Sequence, residues 1–243
     1  MTDPRTSIII HRLAKITRII AVSSGKGGVG KSLIATTLAL TLAKKGCKVG
    51  LFDLDFTSPS THTILGIKNA QPTEDKGLVP PKVQGLEYMS LIYYTNDQPA
   101  PLRGTDTSNA LIELLAVTRW GKLDYLIIDM PPGIGDAVLD LIRLVNRIEF
   151  IIVTTPSKLA FETVKKLSGL LRELKIPVIG VVENMKMDNE NNIQLQTEKL
   201  GLPFLAGIPY DPKVEEAIGN TKALLNTTIA RRTKEIATNK LTQ

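Results

Sequence analysis

Along this chain of 243 residues, short apolar runs rich in Val and Ile alternate with stretches whose apolar positions recur at helical spacing. The runs cover Arg18 to Ser23, Lys48 to Asp53, Leu86 to Leu91, Tyr125 to Asp129, Glu149 to Thr154, Pro177 to Glu183 and Pro203 to Ile208. Several are apolar at successive positions rather than at every second one, which predicts parallel strands covered by helices on both sides. Between them, Leu33 to Lys45 is the clearest helix, with Leu38, Ala39 and Leu42 at helical spacing and Gly46 placed to end it in a left-handed conformation. Asp136 and Ser157 are expected as N-caps of helices beginning near Ala137 and Leu159. The predicted fold class is α/β, a doubly wound, mainly parallel sheet of about seven strands with helices on both faces.

No Pro/Gly/Ser-rich linker divides the chain, so a single domain is expected over residues 1–243, with an N-terminal extension over 1–17. The stretch Gly66 to Gly104 breaks the alternation. It carries Pro72, Pro80, Pro81, Pro99 and Pro101 with little periodicity, and reads as a long excursion wrapped around one strand.

Composition narrows the setting. Hydrophobic residues make up 43% of the chain, enough for one sizeable core. Basic residues outnumber acidic ones 30 to 24, giving a formal charge of +6, which favours an anionic partner without naming one. Pairs such as Lys44-Lys45, Lys165-Lys166 and Arg231-Arg232 read as solvated helix faces, and nucleic acid is not expected as a partner. Cys47 is the only cysteine, which excludes an internal disulfide and a Cys-x-x-Cys metal site in one chain and fits a reducing, cytoplasmic setting. No apolar run approaches the roughly twenty residues of a membrane helix, and the first residues lack the basic-then-apolar pattern of a signal peptide, so no membrane association is expected.

The strongest chemical signal is Gly25-Lys26-Gly27-Gly28-Val29-Gly30-Lys31-Ser32, which satisfies G-x-x-x-x-G-K-[ST] directly after an apolar strand and opens a helix. Gly25, Gly27, Gly28 and Gly30, with Val29, let backbone N–H groups converge on phosphate oxygens, and the helix N-terminus adds partial positive charge. Lys31 is expected on the β and γ phosphates and the Ser32 hydroxyl on magnesium. Lys26 could reach either its own nucleotide or that of a neighbouring subunit. Asp129 ends an apolar strand before Met130-Pro131-Pro132-Gly133 and reads as the carboxylate that holds the magnesium, partly through water. Asp53 and Asp55 flank one leucine and point the same way from an extended chain. Asp55 is expected to orient or deprotonate the attacking water, and Asp53 to lie nearer the metal. Gly133 and Gly135 would let the segment after Asp129 move when the γ-phosphate leaves.

These residues resemble the deviant Walker A ATPases of the MinD/ParA/nitrogenase-iron-protein superfamily, through Lys26 to Ser32. Within that group the chain is most similar to the Mrp/ApbC metallocluster-assembly ATPases, over about Ile19 to Ile218. The matching segments are DLDFTSPS (Asp53 to Ser60), Arg103-Gly104, LDYLIIDMPPGIGD (Leu123 to Asp136) and VENM (Val182 to Met185). The resemblance implies an ATP-dependent homodimer in which Lys26 crosses to the partner's phosphates. It also implies Asp55 in a first switch loop, a second switch after Asp129, Asn184 at the adenine edge, and Pro209-Tyr210-Asp211 in a second base-flanking loop. One departure stands out: iron–sulfur carriers of the family place Cys-x-x-Cys shortly after VENM, and here Met185 to Gln196 reads MKMDNENNIQLQ. No cluster is therefore expected on the chain's own cysteines. Cys47, at the start of a buried strand, reads as an apolar filler.

The expected activity is magnesium-dependent hydrolysis of ATP to ADP and phosphate, working as a dimeric switch in nickel or iron–sulfur enzyme maturation. A separate metal chaperone or metalloenzyme client is the expected partner. The competing expectation is a MinD/ParA-like positioning or partition ATPase that binds DNA or membrane in the ATP state.

Overall fold

The structure is a computed structural model and describes residues 3–56, 58–95, 105–187 and 190–241. Thr57, Arg103, Gly104 and Asp188, which belong to the segments quoted above, lie outside the described residues. The chain opens with α1 (Arg5–Leu13), β1 (Ile16–Ser23), α2 (Lys31–Lys44), β2 (Val49–Asp53) and α3 (Thr61–Leu65). Short strands β3 (Thr73–Glu74), β4 (Leu78–Val79) and β5 (Lys82–Val83) lead to β6 (Leu86–Ser90), α4 (Ile92–Thr95) and α5 (Thr105–Val117). Regular alternation resumes with β7 (Leu123–Asp129), α6 (Asp136–Leu144), β8 (Ile148–Thr154), α7 (Lys158–Glu173), β9 (Val178–Lys186), α8 (Asn192–Lys199) and β10 (Phe204–Pro209). The described residues end with α9 (Lys213–Glu216), α10 (Thr221–Leu224), α11 (Thr228–Ile236) and a π-helical turn over Ala237–Leu241.

The sheet has eight strands in the order β10-β9-β8-β1-β7-β2-β6-β5. Every pairing from β10 to β6 is parallel, so the seven strands expected from the apolar runs form the sheet, and the eighth is the short antiparallel β5 at its edge. The two residues of β5 lie inside the Pro-rich excursion, where too few consecutive residues carry strand character to signal it. β3 and β4 pair with each other as a separate antiparallel ribbon.

Side chains along each strand divide between two cores. Ile19, Phe52, Leu126 and Phe150 pack on one face with α1, α5, α6 and α7, while Ile20, Leu51, Ile127 and Ile151 pack on the other with α2 and α11. Period-two alternation between two apolar layers gives the unbroken apolar runs of the sequence. Helix α2 is buried almost all round from Ile34 to Leu42, because α11 covers the side turned away from the sheet with Ile229, Ala230 and Ile236.

Several boundaries differ from expectation. β1 starts at Ile16, two residues before Arg18, and the preceding stretch forms α1, which buries Ile9 and Leu13 in the core. α2 starts at Lys31 because Gly30, at φ 80°, is its N-cap. Asp136 is the first residue of α6 and not its cap; Gly135 takes that position, with its carbonyl accepting from the Val138 amide at 3.0 Å. An acid there still favours the positive end of the helix. Ser157 does cap α7, its hydroxyl accepting from the Ala160 amide.

Since Leu38 lies 1% exposed between the sheet and α11, Leu38→Ala is expected to destabilise the fold by about 2–5 kcal/mol, measured by denaturant unfolding. A loss under about 1 kcal/mol would show that the α2 layer repacks freely.

Candidate functional site

Three adjacent parallel strands end at one edge of the sheet, and their last residues build the site. Val22 of β1 is level with Asp129 of β7, which is level with Asp53 of β2. Asp129 follows Ile127 and Asp53 follows Leu51 at strand period, so both carboxylates point into the layer that holds α2. The chain leaving β1 forms the glycine turn and enters α2 at Lys31, which brings that ammonium down onto the acids.

Lys31 is 6% exposed, with Nζ 2.6 Å from Asp129 Oδ1 and 3.7 Å from Asp55 Oδ2. It also lies 3.3 Å from the Ser32 hydroxyl. Burial pushes the Asp129 carboxyl up to about 7, against the pull of Lys31, and the neighbouring Asp53 pushes in the same direction as burial. Asp53 is likewise raised by burial, and hydrogen bonds from Thr61 and Asp55 oppose the shift. Asp129 Oδ2 is buried without a hydrogen-bond partner. An unpartnered carboxylate oxygen close to a serine hydroxyl at the mouth of a phosphate loop is the donor set that a magnesium ion takes. Asp53, by contrast, has both oxygens engaged within the protein. Oδ1 accepts from the Asp55 amide at 3.1 Å, and Oδ2 accepts from the Thr61 amide and hydroxyl at 3.2 and 2.6 Å.

A cavity of 440 Å³ lies over this cluster, lined by Lys26 to Leu33 together with Asp55, Ser58 and Pro132. Lys26 is exposed on its rim. The loop is braced from three sides. Ser24 Oγ donates to the Lys26 carbonyl at 2.9 Å, and the Gly133 amide donates to the Ser24 carbonyl at 2.8 Å, which ties the segment after Asp129 to the loop. Asn184 Nδ2 donates to the Val29 carbonyl at 2.9 Å. That contact explains Gly30, since a Cβ there would lie 2.3 Å from Asn184 Nδ2.

An adjoining cavity of 290 Å³ is lined by Leu33, Asn184, Met185, Pro209, Tyr210 and Asp211. The residues named from the sequence at the base end are thus brought together around one space. The Asp211 carboxylate itself is committed elsewhere, accepting from the Thr228 amide at 3.2 Å and the Lys213 amide at 3.1 Å at the starts of two helices. These hydrogen bonds, led by that from Thr228, hold its carboxyl below the ordinary value.

Thr61 and Tyr88 escape a motif reading although they hold Asp53, and Ser24 likewise. Each is a common polar residue that belongs to no motif: Tyr88 is 27 residues from Thr61, and the nearer partners, Asp53 for Thr61 and the Lys26 carbonyl for Ser24, show only with the backbone folded. Cys47 lies between α2 and β2, at the strand edge opposite the site, half-buried, with its thiol pushed up by burial. Among the described residues no group of three or more His, Cys, Asp or Glu is arranged to hold a metal by itself. No helix among them is long and apolar enough to cross a membrane.

Comparison with known proteins follows the same residues. The family model described as ParA, NUBPL iron-transfer P-loop NTPase, matches residues 15–242. An iron–sulfur cluster carrier protein of Pseudomonas fragi is 39% identical over 229 residues, which span 88% of this chain and 80% of that protein. The carrier protein of Rickettsia conorii is 37% identical over 218 residues, spanning 89% of this chain and 68% of its own length. A solved nucleotide-binding protein of Archaeoglobus fulgidus in complex with ADP superposes with a TM-score of 0.77 at 32% identity, covering 91% of this chain and 93% of that one.

The charge arrangement sets a pH dependence for the protein without nucleotide or magnesium. In the unfolded chain Asp129 loses its proton near 3.8, and in the folded chain at about 7. Between these values the folded state holds a proton that the unfolded state has released, so stability falls as pH rises. Relative to Asp129→Asn, the wild type is expected to lose on the order of 4 kcal/mol between about pH 4 and pH 7, read from urea titrations. A difference independent of pH would contradict the raised carboxyl.

Proposed function

The chain belongs to the ParA family described as NUBPL iron-transfer P-loop NTPases, and from that premise we propose that it binds and hydrolyses ATP with magnesium as a homodimeric switch in iron–sulfur enzyme maturation. The observation that carries this reading is the ammonium of Lys31 held beneath a glycine turn by Asp129 and Asp55. Incoming β and γ phosphates draw Lys31 off the acids, because a triphosphate offers it more negative charge and more acceptors than one carboxylate. Ser32 and Asp129 are the residues that would hold magnesium, with Asp53 behind them fixing the loop. The bound ion supplies charge neutralisation at the phosphates. Once relieved of Lys31, Asp55 faces the cavity and orients the attacking water or takes its proton. Asn184, Pro209 and the backbone around Asp211 enclose the adenine, and the Asn184 amide keeps the base end and the phosphate loop in one register.

The dimeric half of the proposal rests on Lys26. Its side chain is exposed at the cavity rim, and the two segments that border the loop, at Gly133 and at Thr163, each carry an exposed apolar residue nearby in sequence, Ile134 and Leu159. Gly25 meets Thr163, one turn along from Leu159. Such a rim suits a second copy of the chain, with Lys26 reaching across to the partner's phosphates. Loss of γ-phosphate then frees the Gly133 segment through its bond to Ser24, and the dimer loosens.

The relatives named above are iron–sulfur cluster carriers, which favours iron–sulfur over nickel maturation for this chain. With one cysteine, thiolate ligands for a cluster come from a partner, a metal chaperone or the client enzyme. The membrane-binding form of the positioning reading is not favoured at α11, whose apolar face is buried against α2.

Two variants separate the parts. Asp55→Ala is expected to keep nucleotide binding within about threefold while lowering kcat at least about a hundredfold. Lys26→Ala should bind nucleotide normally yet remain monomeric by light scattering with ATP present. Purification of the stalled Asp55 variant from cells, followed by metal and sulfide analysis, is expected to bring down an iron–sulfur protein in a nucleotide-dependent way. Unaltered dimerisation of the Lys26 variant, or a partner fraction free of iron, would contradict the respective half.

A further inference from the structure

Asp55 sits just past the end of β2, where no ladder fixes it, and its amide is held by the carboxylate of Asp53. That carboxylate is in turn fixed by Thr61, the first residue of α3, through both its amide and its hydroxyl. Behind Thr61 stands a further group. Tyr88 of β6 is wholly buried, level with Leu51 of the neighbouring β2, and its hydroxyl lies 2.9 Å from the Thr61 hydroxyl.

Donor bookkeeping sets the direction of this chain. Both Asp53 oxygens face backbone N–H donors, so each acts as an acceptor. The threonine hydroxyl has one proton, which goes to Asp53 Oδ2 across the 2.6 Å contact. Tyr88 therefore donates to Thr61, and Thr61 cannot turn its proton away while the phenol points at it. The tyrosine ring is held by edge contact with Tyr93 of α4, with centroids 5.9 Å apart.

We propose that Tyr88 and Thr61 are positioning residues for hydrolysis, acting through Asp53 to hold the Asp55 backbone at the site of water attack. The inference rests on the hydrolytic role proposed for Asp55. It extends the machinery from the strand-end acids to β6, a strand reached through the Pro-rich excursion. A shift of β6 or α4 would thereby be felt at the switch loop, which makes the excursion a means of tuning hydrolysis without touching nucleotide.

Tyr88→Phe keeps the ring and deletes only the hydroxyl, with its bonds to Thr61 and Ser90. It is expected to lower kcat about 3- to 10-fold, the loss of the neutral hydrogen bond to Thr61 expressed as a rate, with the KM for ATP and the Kd for ADP within about twofold of wild type. Thr61→Val should lower kcat further, and Thr61→Ser should restore it. Amide hydrogen exchange in the nucleotide-free protein supplies a readout independent of turnover. Asp55 and Thr61 amides should exchange faster in Tyr88→Phe and Thr61→Val but not in Thr61→Ser, while the amides of β1 and β7 stay protected. Unchanged exchange at Asp55 in both variants overturns the proposal, as does a parallel loss of kcat and ADP affinity. Absence of ATPase activity in the wild type would overturn the proposed function instead and leave the exchange comparison to judge the relay.

Discussion

A lysine ammonium removed from water must be compensated, and at Lys31 two carboxylates that arrive from different strands do so. Taking such charges out of solvent costs several kcal/mol per ion unless partners and geometry are right, so much of this edge of the sheet is arranged to supply them. The strand order sets β7 between β1 and β2 and thereby puts Asp129 directly under the start of α2. Gly30, at φ 80°, lets the helix begin at Lys31 rather than a turn later. The acids are slightly over-supplied: Asp53 beside Asp129 raises the cost of ionising either, and one Asp129 oxygen remains without a partner. That imbalance is what the proposed magnesium ion would offset at Asp129.

Much of this was legible in the sequence, for a physical reason. Strands buried on both faces read as continuous apolar runs, so the seven parallel strands could be counted before their order was known. The glycine turn is local, eight consecutive residues, and its meaning does not depend on remote partners. Order across the sheet was not legible, because nothing in the strands themselves says that β7 inserts between β1 and β2. Polar partnerships over long sequence distances were equally hidden. Thr61 and Tyr88 are 27 residues apart, and Asn184 reaches back 155 residues to Val29. Asp211 shows the converse limit: the resemblance implied a base-flanking loop for it, while the bonds of its carboxylate to the Lys213 and Thr228 amides, at the starts of two helices, appeared only with the backbone in view.

The single cysteine shapes the functional account. Strands β2 and β9 run the same way in the sheet, so Cys47, before β2, and Met185–Lys186, at the end of β9, lie at opposite edges. In the Mrp/ApbC pattern the cysteine pair would follow that end of β9, and this chain has Met187 there, 79% exposed. Under the proposed function this chain carries the nucleotide machinery and a partner supplies the cluster ligands.

The most direct test is calorimetric titration of nucleotide-free protein with ADP, with and without magnesium. A buried lysine compensated by acids predicts about one ADP per chain, with affinity at least about tenfold tighter when magnesium is present, because bare diphosphate must otherwise approach Asp129 and Asp55 uncompensated. Equal affinity with and without the ion, or no binding in either case, would contradict the account.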